Sequence, residues 1–261
     1  MRRPAAVAGT FYPEDPNRLR RQIDGFLHEN ATAPPSTHPK AVIAPHAGIV
    51  YSGPIAASAY AHVDPGISRV VVVGPAHRVP FHGVAVPTVE AFSTPLGDVP
   101  IDGATLDDLT ARFSQVVADD RPHAEEHSIE LHLPFLQRCV NTFHLVPLLV
   151  GHATGEQVAE VLAAVWGGDE TLVVCSTDLS HFHPDPEARR IDAETAGFIV
   201  AGEGTRLDGQ RACGYVGVQG LLRQAASEGL GVELLDLRNS SQTAGEAGRV
   251  VGYASFAITS S

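Results

Sequence analysis

Three short strings in this chain place imidazole or carboxylate just after an apolar run. "AVIAPHAG" delivers His46, "RVVVVGPAH" delivers His77, and "TLVVCSTDLSH" delivers Asp178 and His181. Two neutral imidazoles with one anionic ligand suit a divalent transition metal, and an open coordination position leaves room for a substrate or dioxygen. Asp178 and His181 are separated by two residues, so the carboxylate is expected to orient the imidazole and tune it as an acid or base. Taken singly, each residue has a plainer explanation, as a loop group that caps a helix or satisfies the backbone. Three strands ending in the same way favour a shared site.

Two further groups carry chemistry. In "HAEEHSIELHLPF" (123–135), His127 and Glu130 stand at i and i+3 on a helix expected over about 128–140, either facing the site or solvated. Glu125 and Glu126 are accounted for by the positive end of that helix's dipole. Cys213, in "RACGYVGVQG", precedes a helix expected from about Val216; the helix terminus should favour its thiolate, as nucleophile or metal ligand. Cys139 and Cys175 lie in apolar runs and read as core fillers. Three cysteines without C-x-x-C spacing make neither a disulfide framework nor a zinc ribbon. There is no G-x-S-x-G elbow and no P-loop.

The elements that must position these groups alternate. Asp15 can cap a first helix, Pro16 suits its first turn, and Leu19, Ile23, Phe26 and Leu27 form its apolar stripe. A Pro-rich connection (30–40) leads to a strand at 41–44. Then come a helix near 54–63, a strand at 70–73, a hairpin-like excursion over 83–102, and a helix near 105–113. Beyond the 128–140 helix lie a strand at 144–150, a helix opened by the capping box of Thr154 and Gln157, and a strand at 171–175. A helix from Asp185-Pro186 to about 200, the helix at 216–227 and strands at 232–237 and 250–258 complete the chain. Strands that are continuously apolar and alternate with helices imply a mainly parallel sheet covered by helices on both faces, and such sheets bind ligands beyond the carboxyl ends of their strands. The expected architecture is a single α/β domain over 1–261.

With 44% hydrophobic and 18% charged residues the chain can bury a core. A net charge of −12 argues against nucleic acid as a partner and favours small, neutral or cationic ones. No apolar run approaches the ~18 to 20 residues of a membrane span, and no signal peptide is evident, so a cytoplasmic location is expected.

Taken together, "APHAG", "YSGPIAASAY", "GPAH", "TPLGDVPID", "EEHSIELHLPF", "STDLSH", the isolated "CG" and the terminal "NSS…VVGYASFAI" resemble the Memo family. Its prokaryotic members are described as component B of the AmmeMemoRadiSam system. The resemblance covers nearly the whole chain in order. It implies the fold of class III extradiol (LigB-type) dioxygenases, non-haem iron enzymes that open catechol rings. It implies His46, His77 and Cys213 as metal-site residues, with Asp178 and His181 beside them. Iron (Fe²⁺) is the expected metal, with copper or zinc as alternatives. A functional link to a radical-SAM protein and an AMMECR-type protein is also implied. Two departures stand out. The dioxygenases use a carboxylate where Cys213 stands, which changes charge, softness and redox preference. Tyr215 and Val216 follow "CG" where the family pattern leads one to expect a basic residue and proline.

The leading expectation is therefore a metal-dependent, dioxygenase-like oxidoreductase acting on a small molecule. Its metal would sit on His46, His77 and Cys213. His181 would act as acid or base, Asp178 would orient it, and His127 would contact substrate or support the ligands. Two rivals stand beside it: a non-enzymatic module binding a peptide or small ligand in the same pocket, and a metal-dependent hydrolase using His127 and Glu130.

Overall fold

The computed structural model describes residues 1–30 and 38–260. Most of the Pro-rich connection expected over 30–40 lies outside the described residues. Before it come β1 (Arg2–Arg3) and α1 (Pro16–Glu29); the Asp15 carboxylate accepts the Arg18 N–H at 2.7 Å, and Leu19 and Ile23 are buried. After it the order is β2 (Ala41–Ala44), α2 (Ile49–Tyr60), β3 (Arg69–Pro75), β4 (Val84–Val86), β5 (Ala91–Thr94), β6 (Gly97–Pro100), α3 (Gly103–Arg112) and β7 (Val116–Ala118). The second half runs α4 (Leu133–Cys139), β8 (His144–Val150), α5 (Gly155–Val165), β9 (Thr171–Ser176), β10 (His181–His183), α6 (Asp185–Val200), α7 (Tyr215–Ser227), β11 (Leu230–Asn239) and β12 (Val250–Ser260).

The main sheet is ordered β10-β12-β2-β9-β3-β8-β4-β7, with β11 paired to β12. Its centre, β2-β9-β3-β8, is parallel throughout; β12 joins β2, and β4 joins β8, in antiparallel fashion. Every residue of β2 and β9 is buried, as are Val70–Val73, each valine contributing about 1.5 to 3 kcal/mol by its burial. Strands this apolar leave no place for polar chemistry except past their ends. The chain is a single α/β domain with a mixed sheet whose core is parallel, as the strand pattern implied. No helix among the described residues is long and apolar enough to cross a membrane.

Local signals held where a cap was explicit. Thr154 and Gln157 make their reciprocal bonds at 3.3 and 3.0 Å, and Val158, Val161, Leu162 and Val165 are buried behind them. Two expectations needed correction. The helix placed near 54–63 runs from Ile49 to Tyr60, with Pro54 inside it, where its missing N–H leaves one backbone bond unmade. The helix expected over 128–140 is also broken up: turns at 121–125 and 128–129 flank the irregular Glu126 and His127, Glu130–His132 form a 3₁₀ turn, and only Leu133–Cys139 is α-helical. Pro134 opens that last helix, so Glu125 and Glu126 stand before no helix terminus.

Candidate metal centre

In the sheet β9 lies between β2 and β3, so the three carboxyl ends are neighbours. Strands two places apart in a sheet are about 10 Å apart, and side chains leaning inward from β2 and β3 meet over the end of the strand between. His46 and His77 do this, with ring centroids 5.2 Å apart. The third ring is His127, 5.4 Å from His46 and stacked on His77 at 4.8 Å. Ring nitrogens of His46, His77 and His127 all lie within 4.8 Å of one another, a grouping that could hold a metal ion.

His127 arrives on the 121–129 segment, which presses against the end of β3. Ser128 Oγ donates to the Pro75 carbonyl at 2.8 Å, and a Cβ on Gly74 would stand 2.6 Å from that hydroxyl oxygen. Only glycine lets the segment approach so closely. Phe11 covers the outer side of the His127 ring at 4.8 Å.

His46 and His77 are each tied down at Nδ1. Ser176 Oγ lies 2.6 Å from His46 Nδ1 and donates its single proton to the Ser128 carbonyl at 2.6 Å. The hydroxyl must therefore accept from Nδ1–H, leaving the His46 Nε2 lone pair bare. Burial, reinforced by the neighbouring His77 and His127, holds the His46 imidazolium pKa well below its usual value, so the ring is neutral. His77 Nδ1 meets Glu126 Oε1 at 3.0 Å, and the His77 backbone N–H donates to Oε2 at 2.6 Å. Oε1 also accepts the N–H groups of His127 (2.8 Å) and Ser128 (3.0 Å). His127 Nδ1 is 3.1 Å from that oxygen, off the hydrogen-bond axis and without a hydrogen-bond partner among the described residues. Burial by itself would raise the Glu126 carboxyl, but the His127 and His77 contacts overcome it and hold the group well below the carboxylate range. Glu126 is thus a buried anion behind two imidazoles, and not the dipole-complementing surface acid expected from the sequence.

Asp178 is buried past the end of β9. Its Oδ1 accepts the His46 N–H at 2.9 Å, and Oδ2 lies 4.0 Å from His46 Nε2. Burial raises its pKa, opposed by the His46 N–H and the nearby His181. Among the described residues no hydrogen bond joins Asp178 to His181, so the carboxylate organises His46 where it was expected to orient His181. His181 is half-buried in β10, followed by Phe182, which is 60% exposed with φ +64°. A non-glycine residue in the left-handed region is strained, and such strain concentrates at functional edges.

Cys213 Sγ is 3.5 Å from His46 Nε2 and accepts the Asp178 N–H at 3.2 Å. It lies beside His46 but outside the mutual grouping of the three histidines. The expected thiolate is not found: burial and then the Asp178 charge push the thiol up to about 12, outweighing the amino end of α7. Glu130 faces away from the centre. It is fully buried, paired with Arg3 at 2.6 Å, and takes the N–H groups of Ala6 and Val7 and the Tyr12 hydroxyl. It anchors the N-terminal segment, so the His127/Glu130 pair on which the hydrolase reading depended does not form.

Sequence reasoning passed over Glu126, Ser176 and Tyr253. Tyr253 is buried near Asp178; its phenol is raised by burial first and by the Asp178 charge second. Glu126 and Ser176 were inside quoted motifs, and the available signal was their adjacency to His127 and Asp178.

A family model described as Memo-like protein matches residues 3–257. A MEMO1 family protein of Methanothermobacter thermautotrophicus is 36% identical over 279 residues, covering 97% of this chain and 99% of that protein. Its counterpart in Methanopyrus kandleri is 35% identical, covering 98% of each chain. One from Aquifex aeolicus is 32% identical, covering 96% of this chain and 97% of its own length.

Proposed function

The chain belongs to the Memo-like protein family, and on that footing we propose that it binds one divalent transition metal ion, Fe²⁺ foremost, through His46 and His77. The observation that carries the reading is the pair of buried acceptors, Ser176 and Glu126, that take the Nδ1 protons and leave Nε2 lone pairs at the cluster. An imidazole fixed in this way is a prepared ligand, because neither its tautomer nor its orientation has to be chosen when the ion arrives. Cys213 is the proposed third ligand: it alone offers soft anionic character beside His46 Nε2, and its thiol proton leaves as the ion binds. His127 completes the neutral side of the set. A histidine and thiolate set suits iron, copper or zinc better than magnesium.

When bound, such an ion would supply redox or Lewis-acid chemistry; the proposed reaction class is oxidation of a small molecule. This chain's own residues would do the rest. Asp178 holds His46 through its backbone N–H, Glu126 holds His77, and half-buried His181 stands at the edge of the centre to take or give a proton. Equilibrium dialysis against Fe²⁺ without oxygen tests the reading. One ion per chain should be retained, and His46→Ala or His77→Ala should release it. Protein that retains no ion, or variants that keep it, would refute the assignment.

A further inference from the structure

A cavity of about 330 Å³ opens beside the centre, over the carboxyl ends of β3 and β8. His77 and Cys213 form one side of it. The remaining walls are the segment 78–81, the segment 150–153, and the first turn of α7. The walls are set by close packing. A Cβ on Gly151 would stand 2.4 Å from the Phe81 carbonyl oxygen, and one on Gly214 would stand 2.3 Å from that of Ser176. The volume is at the lower end for small-molecule sites.

The lining chemistry is one-sided. In a chain of net charge −12, no Asp or Glu among the described residues lines the cavity, while Arg78, His77 and His152 do. Arg78 is exposed and has no ion-pair partner among the described residues, although most of the chain's other arginines are paired. Glu126, which backs His77, is buried with both oxygens already engaged. The other large lining groups are apolar: Val79, Pro80, Phe81, Tyr215 and Val216. A positively disposed, acid-free cavity with apolar and aromatic walls selects an anion carried on an apolar body, and the planar guanidinium fork matches carboxylate and phosphate oxygens.

We propose that this cavity binds a small organic anion, a carboxylate or phosphate monoester with an apolar body, with its charged group on Arg78 and the ligand lying against His77 and Cys213. Its role as the substrate of the metal centre rests on the metal reading above; the binding itself does not. The test therefore uses protein stripped of metal by a chelator, so that loss of one reading leaves the other standing.

Benzoate, phenyl phosphate and neutral benzamide are titrated by calorimetry or ligand-observed NMR. At least one anion should bind about tenfold or more tightly than benzamide, as a charge-assisted contact implies. Arg78→Gln should erase that preference, and Ala153→Phe, which narrows the cavity, should weaken both anions. The two anions also distinguish a carboxylate from a phosphate ligand. The proposal is overturned if neither anion outbinds benzamide, or if Arg78→Gln leaves the preference intact.

Discussion

Replacing Glu126 by glutamine removes one charge and almost no volume, and the structure sets the cost. The carboxylate accepts four N–H bonds: three at Oε1, from His77 Nδ1, His127 N and Ser128 N, and one at Oε2, from His77 N. A glutamine with its oxygen at the Oε1 position keeps three bonds at neutral strength, but its NH₂ then faces the His77 N–H. The reverse orientation sets NH₂ against three donors and is worse. Bonds to a charged acceptor contribute about 1.5 to 3 kcal/mol against about 0.5 to 1.5 for neutral ones, and an orphaned buried N–H costs about 1 to 3. The released burial cost of the charge offsets part of this, leaving a destabilisation of about 3 kcal/mol at neutral pH. Because the folded-state pKa of Glu126 is depressed, its contribution is fully present above the unfolded value near 4.3 and fades as pH falls below it, by about 1.4 kcal/mol per unit. The gap between wild type and Glu126→Gln should thus narrow by about 2 kcal/mol on going from neutral pH to about pH 3. Urea unfolding of both proteins at the two pH values measures it. Equal midpoints at neutral pH, or a gap independent of pH, would refute the role given to this carboxylate.

Ser176→Ala removes the acceptor that fixes the His46 tautomer; metal affinity should fall about tenfold or more in dialysis, with about 1 to 2 kcal/mol lost in stability. Unchanged affinity would mean that the hydroxyl does not set the ring. Metal-free Cys213, with its thiol at about 12, should react slowly with iodoacetamide at mildly alkaline pH, at a rate still climbing toward that value. Labelling at the rate of an unhindered thiol would contradict its burial beside Asp178. Arg3→Met leaves the Glu130 carboxylate buried without its counter-charge and should cost about 3 to 5 kcal/mol in urea unfolding while metal affinity stays unchanged. A loss of affinity there would join the N-terminal anchor to the centre after all.

The fold was legible because β2, β3, β8 and β9 are unbroken apolar runs and the caps at Asp15 and Thr154 are explicit. Where the chain turns polar after such a run also marked His46, His77, Asp178 and His181 as one neighbourhood, and Cys213 was joined to it by the family resemblance. The 121–129 segment could not be read in the same way. Its histidine and glutamates look like a helix start by composition, and only packing on Gly74 and Pro75 turns Glu126 inward and His127 onto His77. The protonation of Cys213 was misread for a related reason. The amino end of a helix is visible in sequence, whereas the buried Asp178 beside the sulfur follows β9, 35 residues earlier in the chain. Glu130 shows the same limit, since its partner, Arg3, is 127 residues away.

The most direct test of the centre is the position of the ion itself. Crystals grown without oxygen in the presence of Fe²⁺ or Co²⁺ give an anomalous difference map at that metal's absorption edge. The account predicts one dominant peak per chain, within ligand distance of His46 Nε2 and His77, with Cys213 Sγ or His127 closing the shell. A dominant peak at the exposed His82 and His152, whose ring centroids are 5.6 Å apart, or a map with no peak at the carboxyl ends of β2 and β3, would contradict it.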